Sequence, residues 1–204
     1  NSLAIKGAKV STLSTLNPAG MDLRRWRSHG IPRVFAEKQL QIIAAFKKMG
    51  AKLTCTCTPY LARNSPRRNE HIAWAESSAV NYANSILGAR TNREGGPTAL
   101  ASAITGRTPL YGLHLPENRV PTAEVHVSVS VENELDYSLV GYAIGRKLGS
   151  SVPLIRGLPE NPSVECLKAL SASMAASGSI ALYYLGAMGD DKKQGLSLEK
   201  IRLS

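Results

Sequence analysis

Residues Glu124–Arg156 read EVHVSVSVENELDYSLVGYAIGRKLGSSVPLIR, and this stretch decides the fold class. It opens with strict alternation. Val125, Val127, Val129 and Val131 fall on one face and Glu124, His126, Ser128 and Ser130 on the other, which predicts a strand over Glu124–Val131 with a drier and a wetter side. Asp136–Leu148 predicts a helix with Asp136 as its N-cap, and Val152–Arg156 predicts a second short strand. Two strands joined through a helix pair in parallel, because the connection must return the chain to the end of the sheet from which it left. The theme continues on the C-terminal side. Ser163–Ser177 predicts a helix ending at Gly178, and Ile180–Leu185 a buried strand. Residues 186–204 are polar, are broken by Gly189 and Gly195, and read as a linker or truncated edge. On the N-terminal side a strand is expected over Lys6–Leu13 and a helix over Val34–Met49, stopped by Gly50. A strand over Ala51–Thr58 then runs into a turn at Pro59, a helix over His71–Leu87 closes at Gly88, and another opens near Pro97 and runs to about Thr105. Helices thus separate most of the strands. The expected fold class is α/β, a layered α/β/α sandwich with a mixed, largely parallel sheet.

Composition narrows the function classes. Of 204 residues 43% are hydrophobic and 20% charged, which suits a globular protein and not a disordered polyelectrolyte. No apolar run approaches the roughly 18 residues needed to span a bilayer, and no basic segment followed by an apolar one opens the chain. A cytoplasmic protein with no membrane role is the expectation. The chain opens at Asn1, not Met, inside what reads as a strand, so a piece of a longer protein is expected. Residues 1–110 hold 16 Lys/Arg against 5 Asp/Glu, and residues 111–204 hold 9 against 10. All of the excess positive charge therefore lies in one half, where it fits an anionic small molecule, an acidic partner surface or nucleic acid. The nucleic-acid reading ranks last: its one dense cluster is Arg24, Arg25, Trp26 and Arg27, and zinc-finger, basic-region and RRM signatures are missing.

Three places depart from what a bland α/β domain needs. Thr54–Tyr60 (TCTCTPY) sits at the C-terminal end of a predicted strand, where open α/β sheets bind ligands and where thiolates can ligate iron. Cys55 and Cys57 face one side if the strand persists; if it bends at Pro59 only one of them does. Two half-buried core cysteines are the competing reading, and Cys166 on its helix reads as a small buried apolar residue. The second place is the helix from His71, where Ser77, Asn81, Asn84 and Ser85 make a polar stripe with Ser78 beside it. The stripe either binds a polar ligand or is a helix contact satisfied internally. The third is Gly88–Pro97, where Arg90 and Arg93 supply forked donors, Gly95 and Gly96 permit close backbone approach, and a helix N-terminus follows. That is an anion site, or a structural loop pinned by Arg–Glu pairs. It is neither a Walker sequence nor a dinucleotide fingerprint.

Four strings carry a resemblance: Cys55–Leu61 (CTCTPYL), Glu70–Ala79 (EHIAWAESSA), Asn84–Pro97 (NSILGARTNREGGP) and Ala103–His114 (AITGRTPLYGLH). Together they resemble the aconitase X family, over about Gly7 to Leu185. The resemblance implies an aconitase-like layered fold, with residues 1–185 as a partial catalytic region, and an iron-dependent hydro-lyase that works with a small swivelling-domain subunit. It further implies an iron–sulfur cluster or mononuclear iron held by Cys57 and, less directly, Cys55. For substrate binding it implies Glu76, Ser77, Ser78, Asn84, Arg90, Asn92 and Arg93, with Glu76 orienting its neighbours. The catalytic base is expected from the small subunit. Within the family the chain is most similar to members that remove water from mevalonate 5-phosphate, giving trans-anhydromevalonate 5-phosphate in an archaeal-type mevalonate pathway; other members act on cis-3-hydroxyproline. A phosphorylated or carboxylate substrate agrees with the basic half. Family members extend at both ends, and a further cysteine followed by Pro-His is expected in a C-terminal half that these residues do not contain. A metal-free basic docking module is the non-enzyme alternative.

Overall fold

In chain order the helices are α1 (Ser2–Ile5), α2 (Arg33–Met49), α3 (Ser77–Ser85), α4 (Gly96–Thr105), α5 (Glu134–Leu148) and α6 (Val164–Ser177), and the strands are β1 (Ala123–Val127), β2 (Pro153–Arg156), β3 (Tyr184–Leu185) and β4 (Glu199–Leu203). The computed structural model describes residues 2–186 and 199–203. They divide into two compact units, Asn1–Ser65 with Gly95–Thr108, and Pro66–Glu94 with Pro109–Ser204. No helix of the described residues is long and apolar enough to cross a membrane.

The second unit is built on a four-stranded sheet of order β3-β2-β1-β4, parallel at every pairing. Val125 lies opposite Ile155 on one side and Ile201 on the other, so β1 is central. Its inward valines behave as the alternation requires: Val125 and Val127 are buried, with His126 exposed between them. The strand ends at Val127, four residues short of the expected Val131, and Val129 is left exposed. At that point Ser128 turns both its N–H and its hydroxyl onto the Leu203 carbonyl of β4. Helix α5 begins at Glu134 with Asn133 as N-cap. The Asn133 side chain accepts from Leu135 and Asp136, and the Asp136 carboxylate accepts from the Asn133 N–H, so the expected cap residue is the third residue of a capping box instead.

Helices α5 and α6 pack unusually closely because α5 carries Gly141 and Gly145 one turn apart. A Cβ at Gly141 would lie 2.7 Å from the Leu170 carbonyl, and one at Gly145 2.8 Å from the Met174 carbonyl. The core of the unit, among it Tyr137, Ile144, Leu170, Met174, Ile180 and Tyr183, fills the space between these helices and the sheet. Cys166 is buried in it, as its apolar setting implied. The strand expected over Ile180–Leu185 shortens to Tyr184–Leu185, since the Ile180 and Ala181 carbonyls are taken by Asn81 and Asn84. The tail, read as linker or edge, contributes β4; residues 187–198 lie outside the described residues.

In the first unit α2 and α4 form as their periodicity and glycine stops predict, with Gly50 and Gly106 left-handed at the C-caps. The strands expected at Lys6–Leu13 and Ala51–Thr58 do not form. Their pairing reduces to the single bridge Thr15–Lys52, because the backbone of the first segment is spent elsewhere: Val10 N–H donates to the Met49 carbonyl and Ser11 N–H to that of Ala103.

Candidate functional site

In the first unit, the loop after α2 presents the two thiols. Cys55 sits at φ +47°, in the left-handed region that a β-carbon disfavours, and this breaks the strand alternation that would have aligned Cys55 with Cys57. Threonines hold the loop instead. Thr54 hydroxyl donates to the Leu16 carbonyl at 3.2 Å, Thr56 and Thr58 hydroxyls share a hydrogen bond of 3.1 Å, and a single 3-10 turn follows at Pro59–Leu61. Cys55 is half-buried and Cys57 exposed, so of the pair Cys57 is the thiol open to an external group. No cluster of three or more His, Cys, Asp or Glu side chains among the described residues could hold a metal ion by itself. These residues therefore fit an iron–sulfur group as donors of one or two thiolates, and a closed thiolate set needs further ligands.

In the second unit the expected helix from His71 begins six residues later. His71–Glu76 is extended, and a short parallel pairing with the Arg90 segment holds it there: Arg90 N–H donates to the Glu70 carbonyl at 2.9 Å and Ile72 N–H to the Arg90 carbonyl at 3.0 Å. Helix α3 opens at Ser77 with Glu76 as an N-cap residue that makes no side-chain cap bond. Glu76, Ser77 and Ser78 are half-buried at this end. A carboxylate, two hydroxyls and the free N–H groups of a first helical turn lie at this end, which suits a ligand carrying both an anionic and a hydroxyl group.

The rest of the polar stripe is spent on the protein. Asn84 donates to the Thr91 carbonyl at 2.8 Å and to the Ala181 carbonyl at 2.9 Å, and its carbonyl accepts from Thr91 N–H and from the Arg119 guanidinium, each at 3.0 Å. Asn81 donates to the Ile180 carbonyl, and Ser85 accepts from Tyr183 N–H. Of the two readings of the stripe, the internally satisfied contact describes Asn84 and Ser85; Asn81 is bonded through its amide N–H alone, and its buried Oδ1 has no hydrogen-bond partner among the described residues. Asn92 is similarly engaged, donating to the Tyr111 carbonyl and accepting from Leu113 N–H at 2.8 Å. Arg93 is exposed and reaches the Gly178 carbonyl at 3.4 Å. Neither arginine of the loop is pinned by a glutamate in the ion pairs of the described residues. Arg90, Asn92 and Arg93 belong to the second unit; Gly95 and Gly96, which open α4, belong to the first.

At the C-terminal end of α3 the second unit contains a cavity of about 520 Å³, whose wall includes Asn84, Arg68, Arg90, Arg119 and Tyr184. Arg119 also donates to the Leu113 carbonyl at 3.1 Å and the Asn84 carbonyl at 3.2 Å, and Tyr184 hydroxyl donates to the Arg119 carbonyl at 2.8 Å. Burial pulls the Arg119 guanidinium below its ordinary value, and the charge of Arg90 pulls it the same way. Beside it lies a histidine pair. Nδ1 of His71 and Nδ1 of His114 are 2.9 Å apart, with rings inclined by 9° and centroids 5.1 Å apart. That separation is what an edge-to-edge bond between coplanar rings requires, so the contact is an N–H···N bond and not a face-to-face stack. His114 is buried, and burial lowers its pKa first; the charges of His71, Arg119 and Arg90 act the same way and Glu94 opposes them. His114 Nε2 and a Glu94 carboxylate oxygen are buried with no hydrogen-bond partner among the described residues.

Sequence reasoning missed Arg68, Arg119, Tyr184 and the His71–His114 pair. One local signal was available, for Arg119, which ends a short polar turn, Pro116–Arg119, shortly before the central strand; the Glu70–Arg90 pairing that brings the others together leaves no local signal.

Residues 1–117 match the aconitase X first domain and residues 121–202 the aconitase X second domain. The phosphomevalonate dehydratase large subunit of Methanothermobacter thermautotrophicus is 54% identical over 183 residues, covering 90% of this chain and 45% of that protein. The cis-3-hydroxy-L-proline dehydratase of Hypocrea jecorina is 42% identical over 183 residues, covering 88% of this chain and 31% of that protein. The crystal structure of Thermococcus kodakaraensis aconitase X in its holo-form superposes with a TM-score of 0.86 at 46% identity, covering 99% of this chain and 50% of that one. The chain thus spans about half the length or less of these relatives. With both domain matches lying along one α/β chain, this protein belongs to the aconitase X family.

Proposed function

We propose that this chain forms part of the large subunit of a dehydratase that removes water from mevalonate 5-phosphate, working in the cytoplasm with a small swivelling-domain subunit. The observation that carries the reading is the unspent polar end of α3, Glu76 with Ser77 and Ser78, in a chain 54% identical to a phosphomevalonate dehydratase large subunit. Dehydration breaks the C2–H and C3–O bonds of the substrate and forms the C2–C3 double bond. A base takes the C2 proton, and the C3 hydroxyl leaves as water after gaining a proton. Cys57 and, less directly, Cys55 would help hold an iron–sulfur group, which would supply Lewis acidity toward the leaving hydroxyl. The chain's own residues bind and orient. Ser77, Ser78 and the first N–H groups of α3 receive the carboxylate, and Glu76 accepts from a substrate hydroxyl. Asn84 and Asn92 act indirectly, by fixing α3 against the 180–181 segment and the Thr91 turn against the 111–113 segment. The base comes from the small subunit.

The test is reconstitution of the full-length chain with its small subunit and iron under anaerobic conditions, followed by separate offers of mevalonate 5-phosphate and cis-3-hydroxyproline, with water loss read by mass. Turnover of the phosphorylated acid is the expected result. Turnover of hydroxyproline alone would move the chain to the other branch of the family, and failure of both with iron bound would leave it a docking module.

A further inference from the structure

The cavity at the C-terminal end of α3 is not explained by the groups assigned to the substrate. The helix is nine residues long, so its two ends lie roughly 12 Å apart along the axis, at about 1.5 Å per residue. Three arginines, Arg68, Arg90 and Arg119, are among the residues that line the cavity, and no Asp or Glu is. None of the three takes part in an ion pair among the described residues. Their positions are built in. The Glu70–Arg90 pairing sets the Arg68 and Arg90 segments side by side, and Gly88, at φ +70°, leaves the space in which the Arg68 stem lies, 3.1 Å from where a Cβ would be. Arg119 is anchored on the Asn84 and Leu113 carbonyls. Each guanidinium has five N–H donors. Arg119 spends three on its bonds and Arg90 one, on the His114 carbonyl at 3.0 Å, while Arg68 makes no hydrogen bond among the described residues. Most of the donors therefore remain for a ligand. Ile86, Val120 and Pro121 supply an apolar wall on the same cavity, which accommodates the aliphatic part of a small molecule.

We infer that this cavity is a binding site for a phosphate dianion, either inorganic phosphate or the head of a small phosphate ester, clamped by Arg68, Arg90 and Arg119. Three cations without an ion-pair partner among the described residues, Arg90 and Arg119 half-buried and Arg68 exposed, repel one another, and a doubly charged tetrahedral anion relieves that repulsion while accepting forked bonds from more than one side. The site stands on the cavity itself; only the identity of the ester rests on the dehydratase reading.

The test is calorimetric titration of inorganic phosphate into the full-length chain assembled with its small subunit. Arg68→Met and Arg90→Met should each weaken phosphate binding by about tenfold or more, the cost of removing a charge-assisted donor. Arg68 is exposed and makes no hydrogen bond among the described residues, so R68M tests the site without threatening the fold. Arg146→Met, in the exposed last turn of α5, should leave the affinity unchanged. No phosphate binding in the wild type, or equal affinity in R68M, R90M and R146M, overturns the proposal. The source of the anion follows from dehydration kinetics on the same assembly: phosphate inhibiting competitively against mevalonate 5-phosphate assigns the cavity to the substrate's own phosphate, and non-competitive inhibition assigns it to a second phosphorylated compound.

Discussion

Asn84 and Ser77 lie on one polar stripe and do different work. Asn84 uses all four of its hydrogen-bonding positions inside the protein, so Asn84→Ala strands Thr91 N–H and removes a partner of Arg119. A loss of about 2–4 kcal/mol of stability is expected, read from denaturant midpoints. Ser77→Ala should leave the midpoint unchanged and lower kcat/KM for the phosphorylated acid by about tenfold, because its half-buried hydroxyl makes no hydrogen bond to be lost among the described residues. His114 gives a pH signature. Its folded pKa lies below the ordinary imidazole value of about 6.5, so the folded state resists protonation and the unfolded state does not. The stability it contributes is complete above about pH 6.5 and is lost as the pH falls from there through the lower folded value. His114→Gln should flatten that slope in denaturation series at pH 5–7. The lowered Asp22 carboxyl, exposed and held down by the Arg25 and Arg24 N–H groups, acts only in the more acidic carboxylate range and leaves this window clear.

Helices announced themselves in the sequence and short strands did not. The ends of α2 and α4 followed from Gly50 and Gly106 and the span of α6 from its pattern closing at Gly178, because glycine stops are local chemistry, whereas Asp136, the expected cap of α5, proves to be the third residue of a box opened by Asn133. The strand at Ala51–Thr58 failed because alternation says nothing about whether a neighbouring strand exists to pair with it; one bridge at Lys52 is all that forms. The helix from His71 was overextended for the same reason. A distant segment, through the Glu70 and Arg90 backbones, captures residues whose own pattern is helical. That capture is also why the arginine cavity and the histidine pair were illegible: both depend on a pairing across 18 residues or more, whereas Glu76, Ser77 and Ser78 sit together in the chain. The close approach of α5 and α6 is testable at this scale. Gly145→Ala places a methyl 2.8 Å from the Met174 carbonyl and 3.0 Å from Gly178 N, backbone atoms that cannot rotate away. Overpacking of about 1–3 kcal/mol should outweigh the roughly 1 kcal/mol that alanine adds to helix propensity, and the melting temperature should fall.

Across the chain, the surplus of positive charge in residues 1–110 is partly spent on a defined place: Arg68 and Arg90 come from that half and meet Arg119 in one cavity. Attraction of a phosphorylated substrate by this half should weaken with salt, so KM for mevalonate 5-phosphate should rise severalfold as ionic strength increases from about 0.01 M to about 0.1 M, where the screening length falls from about 30 Å to about 10 Å. An unphosphorylated competitor should show a smaller change. The central claim, that the open end of α3 receives the reacting acid, is tested most directly by the rate of water loss from mevalonate 5-phosphate in the full-length assembly carrying Glu76→Gln. A fall in kcat/KM of at least about tenfold with an unchanged melting temperature is the predicted result; a wild-type rate in that variant would contradict it.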